Sequence, residues 1–143
     1  YKIKTNKIFL LVDDIVFKNF FDPSKFVNLG DEYIPSLRMG KHLTRSYTLS
    51  KVQPGTELKE ENGLYVWDYA KGLHDWGYPL SVDGHFFETL DIIKMTEVLK
   101  FKAPNSYESK LQKFGFFFNK KKGACEEVSS IVNIPCNKVQ TEK

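Results

Sequence analysis

Cysteine, long apolar runs and charge of one sign are all scarce in this sequence of 143 residues. The two cysteines, Cys125 and Cys136, lack the close spacing of zinc and redox motifs, so two buried free thiols are expected, with a disulfide as the alternative. No apolar run approaches the roughly 20 residues of a membrane-spanning helix, and no signal peptide is visible. These absences predict a cytoplasmic protein without a transmembrane segment.

The charge pattern gives no reason to expect nucleic acid as a partner. The formal net charge is only +3, and the lysines are spread along the chain instead of forming one stripe. The one tight cluster, Lys120-Lys121-Lys122, is typical of a solvated loop. Glycine-rich phosphate loops, the serine nucleophile elbow and the zinc-protease motif are absent from the sequence as well.

Aromatic side chains are what the chain has in quantity. They make up 15% of the residues, in a composition that is otherwise ordinary for a globular protein. A chain of this length can form one domain with a core, and no repeat or linker interrupts it, so residues 1–143 are predicted to be a single domain. The chain begins at Tyr1 and enters a strand almost at once, from which we expect that an amino-terminal part is missing.

Strand and helix signals alternate along the chain and predict an α/β fold. Short apolar runs predict strands at residues 7–12, extended through 15–17, and at 33–39, 64–67 and 130–134. Capping and periodicity signals predict helices at residues 22–29, 90–99 and 105–114. Asp22 and Thr89 are the predicted caps of the first two helices, and Glu108 completes a capping box in the third. The polar stretch 40–61 predicts a long surface loop.

The first candidate site is the acidic pair Asp13-Asp14, which ends the apolar run of residues 8–12. Two anions at the end of a buried strand must be paired, solvated or bound to a cation, and α/β proteins place ligands at such strand ends. Mg²⁺ and Mn²⁺ take one or two carboxylates together with substrate phosphates. The alternative is a strand-to-turn boundary, where aspartate is common because it forms local hydrogen bonds.

The second candidate site is the segment from Trp76 to His85, with the sequence WGYPLSVDGH. In an extended stretch Asp83 and His85 would face the same side, because side chains alternate along a strand. Asp83 is then a candidate general base toward a hydroxyl group, and His85 a candidate metal ligand or phosphate partner. The alternative is a turn aspartate with a hydrogen-bonded histidine nearby.

Three further side chains are candidate substrate contacts. Trp76 lies in a glycine-flanked loop where its ring can stack on a sugar, whereas Trp67 fits a strand and core packing. Tyr78 belongs to the same aromatic segment as Trp76. Arg38 has the planar donor fork that holds phosphate, with a surface salt bridge as its alternative role.

Together these segments resemble a family of bacterial glycosyltransferases. The resemblance extends over nearly the whole chain in a consistent order, and it is carried by residues 9–17, 36–40, 67–69, 75–85, 103–108 and 132–140. It implies a GT-A-like fold, a mixed-sheet α/β architecture that binds a nucleotide sugar. This chain would be the carboxyl-terminal, acceptor-side part of that fold.

The resemblance also implies roles for individual residues. Asp13 and Asp14 would bind a divalent metal, Mn²⁺ or Mg²⁺, on the donor diphosphate, and His85 would add a metal ligand. Asp83 would be the base of an inverting reaction. The chain departs from the family pattern at Ile15, which stands where a second acid would follow Asp13. Only 12 residues precede the acidic pair, although in this fold the preceding residues build most of the nucleotide-binding half.

The leading hypothesis is therefore sugar transfer from a nucleotide-sugar donor to a carbohydrate or another hydroxyl acceptor. The first alternative is a non-catalytic, truncated glycosyltransferase-like module that binds carbohydrate or a protein partner. The second is a metal-dependent hydrolase that uses Asp13, Asp14 and His85. The leading hypothesis predicts that these three side chains and Asp83 converge on one cleft.

Overall fold

The chain folds as a mixed α/β structure, here a computed structural model that describes residues 3–47 and 49–134. The strands among these residues are β1 (Lys7–Leu10), β2 (Ile15–Phe17), β3 (Tyr33–Pro35), β4 (Arg45–Ser46), β5 (Lys51–Val52), β6 (Lys59–Glu61), β7 (Leu64–Asp68), β8 (His85–Glu88), β9 (Lys122–Cys125) and β10 (Ile131–Asn133). The helices are α1 (Ser24–Val27), α2 (Thr89–Val98), α3 (Pro104–Leu111) and α4 (Gly115–Phe118). Short 3₁₀ turns cover Tyr69–Lys71, His74–Gly77 and Gln112–Phe114.

A four-stranded mixed sheet in the order β3-β9-β7-β6 lies at the centre. β3 and β9 are parallel, whereas β7 is antiparallel to both β9 and β6. β1 and β8 form an antiparallel pair that meets the central sheet at an isolated bridge between Ser36 and His85. The prediction of an α/β fold with a mixed sheet is therefore confirmed.

A second antiparallel pair, β2 with β10, lies next to the acidic turn. The backbone N–H of Ile134 donates to the carbonyl of Asp14 at 2.9 Å, and the N–H of Gly84 donates to the carbonyl of Leu10 at 2.9 Å. The turn that carries Asp13 and Asp14 is therefore held between the start of β8 and the end of β10.

The core is built around two indole rings. Trp67 and Trp76 are almost fully buried with ring centroids 5.0 Å apart, and the Trp67 Nε1–H donates to the Trp76 carbonyl at 2.9 Å. The Trp67 ring packs on Gly123 in β9, where a Cβ atom would come within 2.1 Å of the indole. The Tyr69 hydroxyl donates to the Ile34 carbonyl at 3.0 Å and so joins the strand β7 end to β3.

Several predicted elements differ from the observed ones. The first strand was expected to be buried and to reach Val12, but β1 ends at Leu10, pairs with β8 and is only half-buried. The expected loop over residues 40–61 contains β4, β5 and β6. Lys122 was assigned to a loop, yet it opens β9, which lies between β3 and β7. β9 has the sequence KGAC, and a glycine is required at position 123 because the Trp67 ring covers it.

The predicted helix caps also differ in part. Asp22 Oδ1 accepts the N–H of Ser24 at 2.9 Å as a cap would, but α1 begins one residue later than expected, with Pro23 at the N-cap position. Thr89 is the first residue of α2 and makes no capping hydrogen bond there. In α3 the Ser106 hydroxyl accepts the N–H of Ala103 at 3.0 Å, and Glu108 instead reaches out to the segment before β8.

Cys125 is buried at the end of β9, and burial raises the pKa of its thiol to about 12. Cys136, with the part of the family resemblance that lies beyond residue 134, falls outside the described residues. Across the described residues, no helix has both the length and the apolar surface needed to cross a bilayer.

Candidate functional site

A cleft of about 850 Å³ opens between the acidic turn after β1, the segment before β8, the end of β10 and the start of α3. This volume falls within the range of small-molecule sites in proteins. Its charged lining consists of one guanidinium group and a larger set of carboxylates, namely Arg38 against Asp13, Asp14, Asp75, Asp83 and Glu108. The cleft is thus acidic although the whole chain is basic, so an anionic ligand would need a cation beside it.

The acidic pair lies at one wall of this cleft. Asp13 is exposed and Asp14 half-buried, and both line the cavity. Among the ion pairs of the described residues, none involves either side chain, although Asp75 and Asp83 in the same cleft are both paired with Arg38. Both carboxylates are therefore available to an incoming cation.

Asp83 belongs to a network centred on Arg38. The Arg38 Nε lies 3.8 Å from Asp83 Oδ2, and its Nη1 lies 3.5 Å from Asp75 Oδ1. The Asn133 side-chain amide donates to the same Asp83 oxygen at 3.1 Å, and Gln53 donates to Asp75 at 3.3 Å. Asp83 Oδ2 is thus held by two partners, whereas Asp83 Oδ1 has no hydrogen-bond partner within the described part of the chain.

The structure does not bring His85 to the cleft. Gly84 adopts φ = +83°, a left-handed conformation that breaks the extended alternation expected for Asp83 and His85. Asp83 therefore lines the cleft, whereas His85 is fully buried, with its Nδ1 at 3.0 Å from the Pro79 carbonyl. Burial, helped by the nearby charge of Arg38, lowers the pKa of the imidazole to about 3, so His85 stays neutral.

Of the three candidate substrate contacts, two line the cleft and one is buried in the core. Tyr78 and Arg38 both line the cleft. Trp76 does not line it, because its ring is buried against Trp67 in the core. Burial, followed by the nearby charge of Glu108, raises the pKa of Tyr78 to about 12, so its hydroxyl keeps its proton and can donate a hydrogen bond.

Glu108 is the functional candidate that sequence reasoning missed. It lines the cleft, its Oε1 accepts the N–H of Val82 at 3.2 Å, and burial raises the pKa of its carboxyl above the usual range. The capping-box pattern had assigned this side chain to its own helix. Local patterns do not show this role, because the contact of Glu108 with Val82 joins residues 26 positions apart.

Metal binding in this cleft would rely on few protein ligands. Within residues 3–47 and 49–134, no group of three or more His, Cys, Asp or Glu side chains is arranged to hold a metal ion. Asp13 and Asp14 supply carboxylate oxygens, the ligand type that Mg²⁺ and Mn²⁺ prefer. These ions often complete their shells with water and substrate phosphates, and the pair fits that mode of binding.

No protein-family model, curated protein or solved structure gives a significant match to this chain.

Proposed function

We propose that this cleft transfers a sugar from a nucleotide-sugar donor to a hydroxyl acceptor. In this proposal the chain supplies the acceptor-side part of a GT-A-like glycosyltransferase. The observation that carries the proposal is that the adjacent pair Asp13 and Asp14 and the distant Asp83 line one cleft, together with Tyr78 and Arg38. The hydrolase alternative is less favoured because it requires His85, which does not line the cleft.

The charge of the cleft makes the proposed reaction dependent on a metal. The donor diphosphate would meet a lining that is rich in carboxylates and has Arg38 as its guanidinium group. The positive charge of Arg38 is already offset by the carboxylates of Asp75 and Asp83, so Arg38 would attract a phosphate only weakly. A divalent cation held by Asp13 and Asp14 would offset the charge that develops on the leaving diphosphate. The two carboxylates themselves serve to hold and orient that ion.

The other side of the cleft fits a polyhydroxylated acceptor. Tyr78 offers an aromatic ring and a hydroxyl group, Tyr107 adds an aromatic ring, and Asn105 offers a side-chain amide. These groups can stack on a sugar ring and form hydrogen bonds with its hydroxyls. The proton of the reacting hydroxyl must pass to a carboxylate of the cleft, for which Asp83 and Glu108 are the candidates.

The acidic pair provides the direct test. Asp13→Asn and Asp14→Asn keep the side-chain size and remove one negative charge each, and Asp68→Asn is the matched control, because Asp68 lies outside this cleft in a surface pair with Lys71. Nucleotide release from a panel of nucleotide sugars, measured with Mn²⁺ and a carbohydrate acceptor, should fall about 10²-fold or more in both cleft variants. The control should match the parent protein. Near-normal turnover in both cleft variants, each folded, would show that the metal–diphosphate assignment is wrong.

Carbohydrate binding without turnover is the second candidate function. The observation that favours it is the double engagement of Asp83 Oδ2 by Arg38 and Asn133, which leaves that oxygen less free to accept a substrate proton. Calorimetric binding of oligosaccharides, combined with no nucleotide release from any donor, would identify this function. Binding of donor and acceptor with release of the nucleotide would support transfer instead.

A further inference from the structure

Glu108 and Asp83 approach the cleft from different elements and meet different surroundings. Asp83 precedes β8 and contacts Arg38 and Asn133. Glu108 lies on α3, and Val82 is its backbone partner, with the N–H at 3.2 Å from Oε1. Among the described residues, Glu108 forms no salt bridge. One carboxylate is therefore fixed by a cation and an amide, and the other is held mainly by a neutral backbone donor.

We propose that Glu108, rather than Asp83, takes the proton of the acceptor hydroxyl; this rests on the proposed function. The acceptor O–H bond breaks and its proton goes to the Glu108 carboxylate. The electron pair of that bond forms the new bond from the acceptor oxygen to the sugar C1. The bond from C1 to the diphosphate oxygen breaks, and its electron pair leaves with the nucleotide diphosphate. Asp83, held by Arg38 and Asn133, orients the acceptor.

The charges around Glu108 fit this assignment. Burial has the largest effect and raises the pKa of the carboxyl, and the negative charge of Asp83 acts in the same direction. The Val82 N–H, the Ser81 hydroxyl and the charge of Arg38 oppose that shift without cancelling it. Tyr78 also faces Glu108 and remains a neutral phenol. General bases work best when their pKa lies near the working pH, and a raised carboxyl pKa moves Glu108 toward that condition.

The division of roles resembles a general pattern in acid–base sites. Two titratable groups in one cleft take different roles when their environments separate their proton affinities. Here α3 places Glu108 in the cleft because Ser106, not Glu108, satisfies the amide of Ala103 at the helix start. The capping serine thus leaves the glutamate available for chemistry.

The test compares Glu108→Gln with Asp83→Asn and with Glu97→Gln, a control on the exposed face of α2. Glutamine keeps an oxygen that can accept the Val82 N–H, so the variant should fold. We expect Glu108→Gln to lose about 10²–10⁴-fold in turnover. It should also lose the acid limb of the pH–rate profile, which is the fall in rate at low pH caused by protonation of the general base. Asp83→Asn should retain that limb, and the control should behave as the parent protein. Glu108→Asp keeps a carboxylate and should retain the limb with reduced turnover.

The outcomes separate the two levels of the proposal. Suppose that the parent protein is active. If Glu108→Gln still loses activity at low pH as the parent does, or if Asp83→Asn is the variant that no longer does, the role of Glu108 is wrong while the proposed transfer stands. A parent that binds donor and acceptor but releases no nucleotide would overturn the proposed transfer and the role of Glu108 with it. A second measurement does not depend on turnover. In a carbon-13 NMR titration, the midpoint of the chemical-shift change of the Glu108 carboxyl should lie above the ordinary glutamate range. A signal that titrates at the ordinary value would also count against the role.

Discussion

Replacing Gly123 by alanine should test how the central sheet is packed. An added Cβ would lie 2.1 Å from Trp67 Cζ2 and 2.2 Å from Cε2, whereas ordinary contacts begin near 3.4 Å. The indole must therefore retreat by roughly an ångström or more, although its Nε1–H is bonded to the Trp76 carbonyl at 2.9 Å. Overpacking costs about 1–3 kcal/mol, and losing the hydrogen bond adds about 0.5–1.5 kcal/mol. The free energy of unfolding should fall by about 2–4 kcal/mol.

For a chain of this size that loss lowers the melting temperature by roughly 6–16 °C. Calorimetry and urea denaturation would measure it, and near-UV circular dichroism would report the displaced indole rings. Gly55→Ala is the matched control, since its Cβ would meet nothing within 4 Å. The double variant Gly123→Ala with Trp67→Phe should lose less stability than the sum of the single changes, because the smaller ring frees the space. Equal melting temperatures for Gly123→Ala and Gly55→Ala would refute the packing argument.

Two further predictions concern buried charge and protonation. Because the pKa of His85 is lowered to about 3 in the folded protein, its burial favours folding at neutral pH, and that contribution is lost as the pH falls from about 6.5, the ordinary histidine value, toward 3. His85→Gln should therefore show a shallower loss of stability than the parent between pH 7 and pH 4 in urea titrations; parallel curves would contradict this. Arg38→Gln should lower the free energy of unfolding by about 1–3 kcal/mol, because Asp75 and Asp83 lose their shared partner, and a variant as stable as the parent would contradict this.

The parts of the site whose structure depends on neighbouring residues could be predicted from the sequence. The acidic pair follows an apolar run, and β1 does end just before it, so a strand-end position for Asp13 and Asp14 could be predicted. For Asp83 a turn position was only the alternative to the extended stretch that was expected, and Gly84 decided in favour of the turn. That both regions line one cleft depends on the pairing of β1 with β8, which joins distant segments.

The failures trace to contacts that local patterns cannot show. His85 was expected beside Asp83 because side chains alternate, but Gly84 adopts a positive φ and sends the imidazole into the core. β9 was missed because a lysine cluster followed by small residues looks like a loop. The need for a glycine at position 123 comes from the Trp67 ring, a contact that local patterns do not show. Glu108 was assigned to a cap that Ser106 already provides.

The way β10 closes the cleft has a consequence for protein engineering. Asn133 reaches Asp83, and the N–H of Ile134 reaches the carbonyl of Asp14, so one wall combines residues from opposite ends of the described chain. No single loop or helix contains the site. Transplanting this cleft onto another scaffold would therefore require two strand pairings and the helix that carries Glu108, because a grafted loop would bring the carboxylates without the contacts that orient them.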